Sequence, residues 1–105
     1  MADKEVLTII KNKVHAYLPE ARIILFGSHA RGDSDKYSDY DLMVVTPHKL
    51  AKTVWLSSSN LIHKDLINAL PAPFDLLFFS EDEVNVKKEL PGHIVKTAIM
   101  EGIDL

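Results

Sequence analysis

Two aspartates, Asp39 and Asp41, stand two residues apart where a polar loop enters an apolar run. Alternate residues of a β-strand point to the same face, so these two would lie roughly 7 Å apart at the backbone. Carboxylates at that spacing can hold divalent ions, and Mg²⁺ is the natural occupant because it prefers oxygen ligands. The alternative is a turn whose aspartates bond to backbone amides. Asp41 would share its face with Met43 and Val45, and a charge in such a place needs a partner, which favours the metal.

A third aspartate, Asp75, lies in the most apolar stretch of the chain, residues 74–79. An unpaired charge there would be costly, so we expect it to be paired, metal-bound or protonated. If its strand lies beside that of Asp41, Asp75 joins the other two as a third carboxylate. It could then share a metal and act as the general base for an attacking hydroxyl. The alternative is a residue exposed at the sheet edge just after Pro73.

The dipeptide Gly27-Ser28 has the properties of a phosphate-binding turn. Glycine lets the backbone approach a ligand closely, and Ser28 offers a hydroxyl and an amide at the start of a predicted helical turn. Gly32 completes the G-x-x-x-x-G spacing of a P-loop, but Asp33 follows where a P-loop has lysine, so we reject that motif. Without the lysine, metal ions must neutralise the phosphate charge, which agrees with the carboxylates.

Three further residues have more than one interpretation. Arg31 either contacts phosphate or forms an ion pair with Asp33 or Asp35, and the ion pair is favoured. His29 is expected to be a solvated loop residue, with substrate contact as the alternative; the five histidines show no metal-type spacing. Trp55 is expected to make a core or partner contact rather than to act in catalysis.

The elements that position these residues alternate between helical and strand patterns. The predicted elements are a helix over 3–18, a strand over 22–26, a helical turn over 28–31, a strand over 40–45, a helix over 49–70, a strand over 74–79, helices over 80–90 and 93–101, and a short edge strand over 103–105. Because of the three serines at 57–59, the sequence favours a break in the long helix as much as a continuous helix. Its predicted apolar stripe includes Val54, Leu61, Ile62, Leu66 and Ile67. The order predicts an α/β (α+β) domain, a small mixed sheet packed with helices.

The composition places limits on the function. A length of 105 residues fits one domain over 1–105, and a net charge of −3 gives no support to general polyanion binding. The absence of cysteine excludes disulfides and thiolate metal sites and fits a reducing compartment. Apolar runs of about four residues are far shorter than the ~20 needed to span a bilayer, and the N-terminus lacks an apolar signal core. We therefore expect a cytoplasmic protein.

The segment G-S-H-A-R-G followed by S-D-Y-D-L resembles the signature G-S-x-x-R-G plus S-D-x-D-L of minimal nucleotidyltransferases (MNT domains). The apolar strand with Asp75 matches the position of that family's third carboxylate. The resemblance implies a DNA polymerase β-like fold and an ATP-dependent transferase with two Mg²⁺ ions on Asp39, Asp41 and Asp75. It also implies that Gly27, Ser28 and Arg31 bind the nucleotide and that Asp75 activates the acceptor hydroxyl.

The predicted elements use all 105 residues and leave no acceptor domain, so we expect the chain either to form a homo- or hetero-oligomer or to receive its acceptor from another protein. The family's typical partner is a HEPN-domain protein, often an RNase toxin, and the MNT antitoxin can transfer AMP to a tyrosine of that toxin. Two alternatives stay open. One is a non-catalytic antitoxin that acts by occlusion; the other is a transferase to a small molecule such as an aminoglycoside, which the missing acceptor domain disfavours.

Overall fold

The computed structural model describes residues 3–105; Met1 and Ala2, part of the domain predicted over 1–105, lie outside the described residues. The elements in chain order are α1 (Lys4–Tyr17), β1 (Arg22–Phe26), α2 (Ser28–Arg31), β2 (Tyr40–Thr46), α3 (Lys52–Ala69), β3 (Phe74–Ser80), α4 (Glu81–Lys87), α5 (Ile94–Glu101) and β4 (Ile103–Asp104). The predicted order of elements is therefore confirmed. Within 3–105, no helix is both long and apolar enough to cross a membrane.

The four strands form one mixed sheet in the order β3-β2-β1-β4. β1 is antiparallel to both β2 and β4, whereas β2 and β3 are parallel and α3 makes the crossover between them. The α/β fold class is thus confirmed. Because parallel strands start at the same edge of a sheet, residues near the beginnings of β2 and β3 come together. β1 ends at this same edge, where Phe26 pairs with Asp41.

Helices cover both faces of the sheet. One face packs against α1 and α3, and its buried residues include Leu25, Leu42 and Val44. The other face packs against α4 and α5 and buries Met43 and Val45. The strict alternation along β2 assigns Asp41 to this second face, together with Met43 and Val45, as the sequence predicts.

Capping side chains begin two helices at the predicted positions. Asp3 accepts a hydrogen bond of 2.8 Å from the Glu5 amide at the start of α1. Ser80 and Glu83 form a reciprocal capping box at the start of α4. α4 ends at Lys87 rather than near residue 90. The next turns tighten to i→i+3 hydrogen bonds, as from the amide of Leu90 to Lys87, because Pro91 cannot continue a helix.

Helix α3 is continuous through its three serines, so the possible break does not occur. Its predicted apolar stripe is only partly right. Ile62 and Leu66 are fully buried, whereas Val54, Leu61 and Ile67 are exposed. Helix α3 makes its main contact with α1, and within the helix only Ile62 and Leu66 are buried.

Candidate active site

Asp41 and Asp75 are direct neighbours across the parallel pair of β2 and β3. Neighbouring strands lie about 4.8 Å apart, and a matched register puts both side chains on the same face of the sheet. Asp41 is partly buried, and Asp75 is exposed on the edge strand. The sequence predicted this meeting only on the condition that the two strands are adjacent, and the topology fulfils that condition.

The charges around Asp41 are mostly of its own sign. Burial, then the carboxylate of Asp75, then that of Asp39 raise the pKa of Asp41, while the charges of Arg31 and His29 offset part of this. Within residues 3–105, no lysine, arginine or histidine forms a salt bridge with any of the three aspartates. The site therefore concentrates negative charge that the basic residues of the chain offset only in part, and a cation from outside the chain could neutralise the rest.

Asp39 precedes strand β2 rather than lying in it, since the strand begins at Tyr40. It is exposed at the end of a turn held by Asp35, which accepts a 2.8 Å hydrogen bond from the amide of Tyr37. The hydroxyl of Ser38 accepts a 2.9 Å bond from the amide of Asp35. These bonds fix the backbone just before Asp39 and bring its charge near Asp41.

The donor set fits Mg²⁺ in chemistry. Asp39, Asp41 and Asp75 offer carboxylate oxygens, the hard ligands that this ion prefers, and their mutual repulsion favours a divalent cation. In the described part of the chain, no three His, Cys, Asp or Glu side chains converge on one ion-sized point. The carboxylates therefore match Mg²⁺ in ligand type and charge without forming a closed three-ligand cage.

Gly27 brings the backbone of the turn directly against Asp41. Its φ of 75° lies in the left-handed region, and a Cβ built on it would overlap Oδ2 of Asp41. Any side chain at this position would therefore displace the carboxylate. The sequence predicted a close backbone approach to a ligand, and the structure shows that Gly27 makes its close approach to the aspartate.

Ser28 opens α2 with unused hydrogen-bond donors. The amides of Ala30 and Arg31 both donate to the Gly27 carbonyl, at 3.1 and 3.0 Å. The amides of Ser28 and His29 and the hydroxyl of Ser28 donate no hydrogen bond to any of residues 3–105. Three donors are thus available at the start of α2, directly after the Gly27 turn that lies against Asp41.

Arg31 forms ion pairs on two sides. Its Nε lies 3.1 Å from Oδ2 of Asp33, and its Nη1 lies 3.3 Å from Oε1 of Glu101. The carboxylates of Asp33 and then Glu101 raise the pKa of Arg31. The predicted pairing with Asp33 is confirmed, whereas Asp35 is not a partner of Arg31.

Glu101 is a site residue that the sequence analysis missed. Its Oε1 accepts a hydrogen bond of 3.0 Å from the Gly27 amide and also pairs with Arg31. Glu101 is the last residue of α5, where the helix dipole disfavours an acid, so this position alone signals that the carboxylate has a partner. Gly102 then turns the chain into β4; a Cβ there would overlap Ala98 O and Ile24 Cγ2.

The expectation that His29 is a solvated loop residue is wrong, because only 8% of its surface is exposed. Its ring stacks on Tyr40 at 3.7 Å between centroids, and Nε2 lies 3.0 Å from the Ser38 carbonyl. Nδ1 has no partner among residues 3–105. His29 thereby joins α2 to the backbone just before Asp39. No spacing signals this, because its two partners lie nine and eleven positions further along an irregular loop.

Comparisons with known proteins found a matching family and similar folds. The family model described as "Nucleotidyltransferase domain" matches residues 4–105. A Methanocaldococcus jannaschii protein named "Putative protein adenylyltransferase" is 45% identical over 42 residues, which are 40% of this chain and 36% of that protein. This match therefore spans little more than a third of the relative's length.

Two solved structures share the fold. One is a toxin–antitoxin complex with AMP-PNP, at 21% identity and a TM-score of 0.57, covering 90% of this chain and 70% of that chain. The other is a mutant of the toxin–antitoxin MntA–HpeT, at 14% identity and a TM-score of 0.58, covering 99% of this chain and 71% of that chain. At these identities the likeness is one of fold.

Proposed function

Since this chain belongs to the nucleotidyltransferase domain family, we propose that it is a Mg²⁺-dependent enzyme that transfers AMP from ATP to a hydroxyl group of a partner protein. The observation that carries the proposal is the pairing of Asp41 with Asp75 in neighbouring strands, with the Gly27 turn against Asp41. Two neighbouring carboxylates beside free amide donors suit the binding of a metal and a phosphate, whereas their repulsion does not stabilise the fold.

Asp39, Asp41 and Asp75 would hold the metal. Bound there, two Mg²⁺ ions supply the positive charge that stabilises the attacking and leaving oxygens of an in-line displacement. Ser28, with its free amide and hydroxyl, holds the triphosphate beside them. Gly27 and Arg31 complete the nucleotide side: the glycine permits the close backbone approach and the guanidinium adds a positive charge.

The reaction follows from these positions. The acceptor oxygen attacks the α-phosphorus of ATP, the bond from that phosphorus to the bridging oxygen of the β-phosphate breaks, and pyrophosphate leaves. The proton of the acceptor hydroxyl passes to a carboxylate oxygen of Asp75. Asp75 suits this role because it is exposed while standing next to the partly buried Asp41.

The accessibility of the site supports a protein as acceptor. Asp75 lies on β3, which forms an outer edge of the sheet, so the hydroxyl of a large molecule can reach it without entering a closed pocket. The name of the Methanocaldococcus relative and the toxin–antitoxin complexes that share the fold point in the same direction. On this basis we infer a HEPN-type helical partner, with the chain acting as an antitoxin in the cytoplasm.

Labelled ATP tests the proposal. The chain and its co-expressed partner are incubated with Mg²⁺ and ATP carrying ³²P at either the α- or the γ-phosphate. AMP transfer labels the partner from α-labelled ATP only, because the γ-phosphate leaves in pyrophosphate. Label from γ-labelled ATP would indicate a kinase. If the partner stays unlabelled, and wild type and Asp39→Asn inhibit its toxicity equally, the chain would act by occluding the partner instead.

A further inference from the structure

A cleft lies at the end of the sheet that is opposite to Asp41 and Asp75, and we call it the far-edge cleft. It has a volume of about 370 Å³, lies where β2 and β3 end at Thr46 and Ser80, and is lined among others by Lys49, Lys52 and Trp55. Asp41 and Thr46 are five positions apart in β2, and a strand rises about 3.3 Å per residue, so the cleft lies about 17 Å from the carboxylates. Its size is within the range of ligand pockets, and it belongs to no part of the transfer site.

The walls of the far-edge cleft are aromatic and incompletely covered. Trp55 meets Phe78 edge to face, with 6.4 Å between ring centroids, and 40% of the Trp55 surface stays exposed. Phe79 and Leu50, both partly buried, complete the apolar part of the lining. An exposed tryptophan beside other apolar side chains in a cleft indicates a binding surface rather than a single scattered exposed residue.

The charges at the cleft favour an anion. Lys49 and Lys52 are both exposed, and neither forms a salt bridge within residues 3–105. The acid in the lining, Glu83, is already engaged, because its carboxylate accepts a 3.1 Å hydrogen bond from the Ser80 amide. Two free ammonium groups therefore stand beside an aromatic wall in a chain whose net charge is −3.

We propose that the far-edge cleft binds an acidic, apolar peptide segment of a protein partner, with an apolar side chain against Trp55 and Phe78 and carboxylates on Lys49 and Lys52. A small anion would leave the exposed part of Trp55 uncovered, whereas an apolar side chain of a peptide covers it. A nucleic acid fits less well, because the edge-to-face rings of Trp55 and Phe78 offer no parallel slot for a base. This binding needs neither ATP nor metal, so it is independent of the proposed transfer reaction.

The intrinsic fluorescence of Trp55, the single tryptophan of the chain, reports directly on the cleft. The probe is an acetylated and amidated pentapeptide, Glu-Leu-Phe-Asp-Leu, titrated to about 5 mM without Mg²⁺ or ATP. We expect a shift in emission with a Kd on the order of 10⁻⁴ M, as befits a short flexible segment. The charge-reversed peptide Lys-Leu-Phe-Lys-Leu should bind at least about tenfold more weakly.

Charge-reversal variants locate the binding. Lys49→Glu combined with Lys52→Glu should weaken the acidic peptide at least about tenfold, while Lys4→Glu combined with Lys11→Glu, with the same net charge on helix α1, should not. Circular dichroism checks that both variants fold. The proposal is overturned if the acidic peptide does not bind or binds both double variants equally. It is also overturned if a thymidine decanucleotide binds more tightly than the peptide, or if sedimentation shows that a second copy of the chain fills the cleft.

Discussion

The two ends of the sheet differ in whether their charged side chains are paired with opposite charges. At one end Asp41 and Asp75 stand side by side, with Asp39 close by and no basic partner among residues 3–105. At the other end Arg22 lies 2.8 Å from Glu81 and 3.6 Å from Asp104, so acids and a base compensate one another. Both ends are built on the same strands, so the comparison is between the carboxylate cluster at one end and the Arg22 ion pairs at the other.

This difference separates a stabilising role from a functional one. The Arg22 cluster contributes modestly to stability, because exposed ion pairs in water are worth at most about 1 kcal/mol. The carboxylate cluster works against folding, since burial and like charges disfavour the ionised form of Asp41. A protein keeps such an arrangement where binding of a cation and a phosphate compensates for it.

The largest effect should follow from removing a carboxylate of the site. Asp39→Asn or Asp41→Asn should lower AMP transfer at least about 10²-fold, since even residues that only support a metal ligand typically change activity 10- to 100-fold. The measurement is the rate of α-label transfer to the partner. Asp104→Asn at the other end of the sheet is the matched control, and an equal loss there would remove the distinction between the two ends.

Gly27→Ala should be the most damaging change outside the carboxylates. Alanine at position 27 would have to adopt a φ of 75°, which is unfavourable for a residue with a side chain. Its methyl group would also overlap Oδ2 of Asp41. We expect a loss of about 2–3 kcal/mol in the free energy of unfolding. Gly32→Ala is the control, because Gly32 has a φ of 85° but no atom within 4 Å of a built Cβ, so only the backbone cost of about 1 kcal/mol applies. Equal losses in urea denaturation would mean that the contact with Asp41 is unimportant.

Glu101 should affect nucleotide binding more than turnover. Glu101→Ala removes the acceptor for the Gly27 amide and a partner of Arg31, and should raise KM for ATP about tenfold with a smaller change in kcat. Glu101→Gln retains an oxygen for the amide and should recover much of the loss. If the alanine and glutamine variants behave identically, the hydrogen bond to Gly27 does not position the turn.

The smallest effect is expected at the compensated end. Arg22→Ala should lower the free energy of unfolding by about 0.5–1 kcal/mol, because the arginine is 42% and Glu81 37% exposed. The difference should shrink in 1 M salt, and transfer activity should stay at the wild-type level. A loss of activity in Arg22→Ala would connect the two ends of the sheet, contrary to this comparison.

Much of this structure follows from local sequence patterns. Strand β1 and the turn α2 have the predicted bounds, and the caps at Asp3 and Ser80 begin their helices as predicted. The candidate carboxylates and the turn at Gly27 were also visible, because their spacing and their apolar flanks are local signals. The roles of these residues in binding and catalysis are predictions that the experiments above test.

The missed features depend on contacts between distant parts of the chain. Glu101 reaches Gly27 across 74 positions, through the pairing of β4 with β1, which no local pattern specifies. His29 is buried because an irregular loop folds back onto it and Tyr40 stacks on its ring. The stripe of α3 was overestimated because periodicity shows which residues share a helix face, but not how wide a surface that face will meet.

The most direct test of the carboxylate cluster is the thermal stability of Asp41→Asn, measured together with its transfer activity. Asparagine has nearly the same shape but no charge, so in EDTA at pH 7 its Tm should exceed that of the wild type by a few degrees. The same substitution should lower AMP transfer at least about 10²-fold. A lower Tm, or a higher Tm with transfer intact, would contradict the claim that the carboxylate cluster destabilises the fold and is needed for transfer.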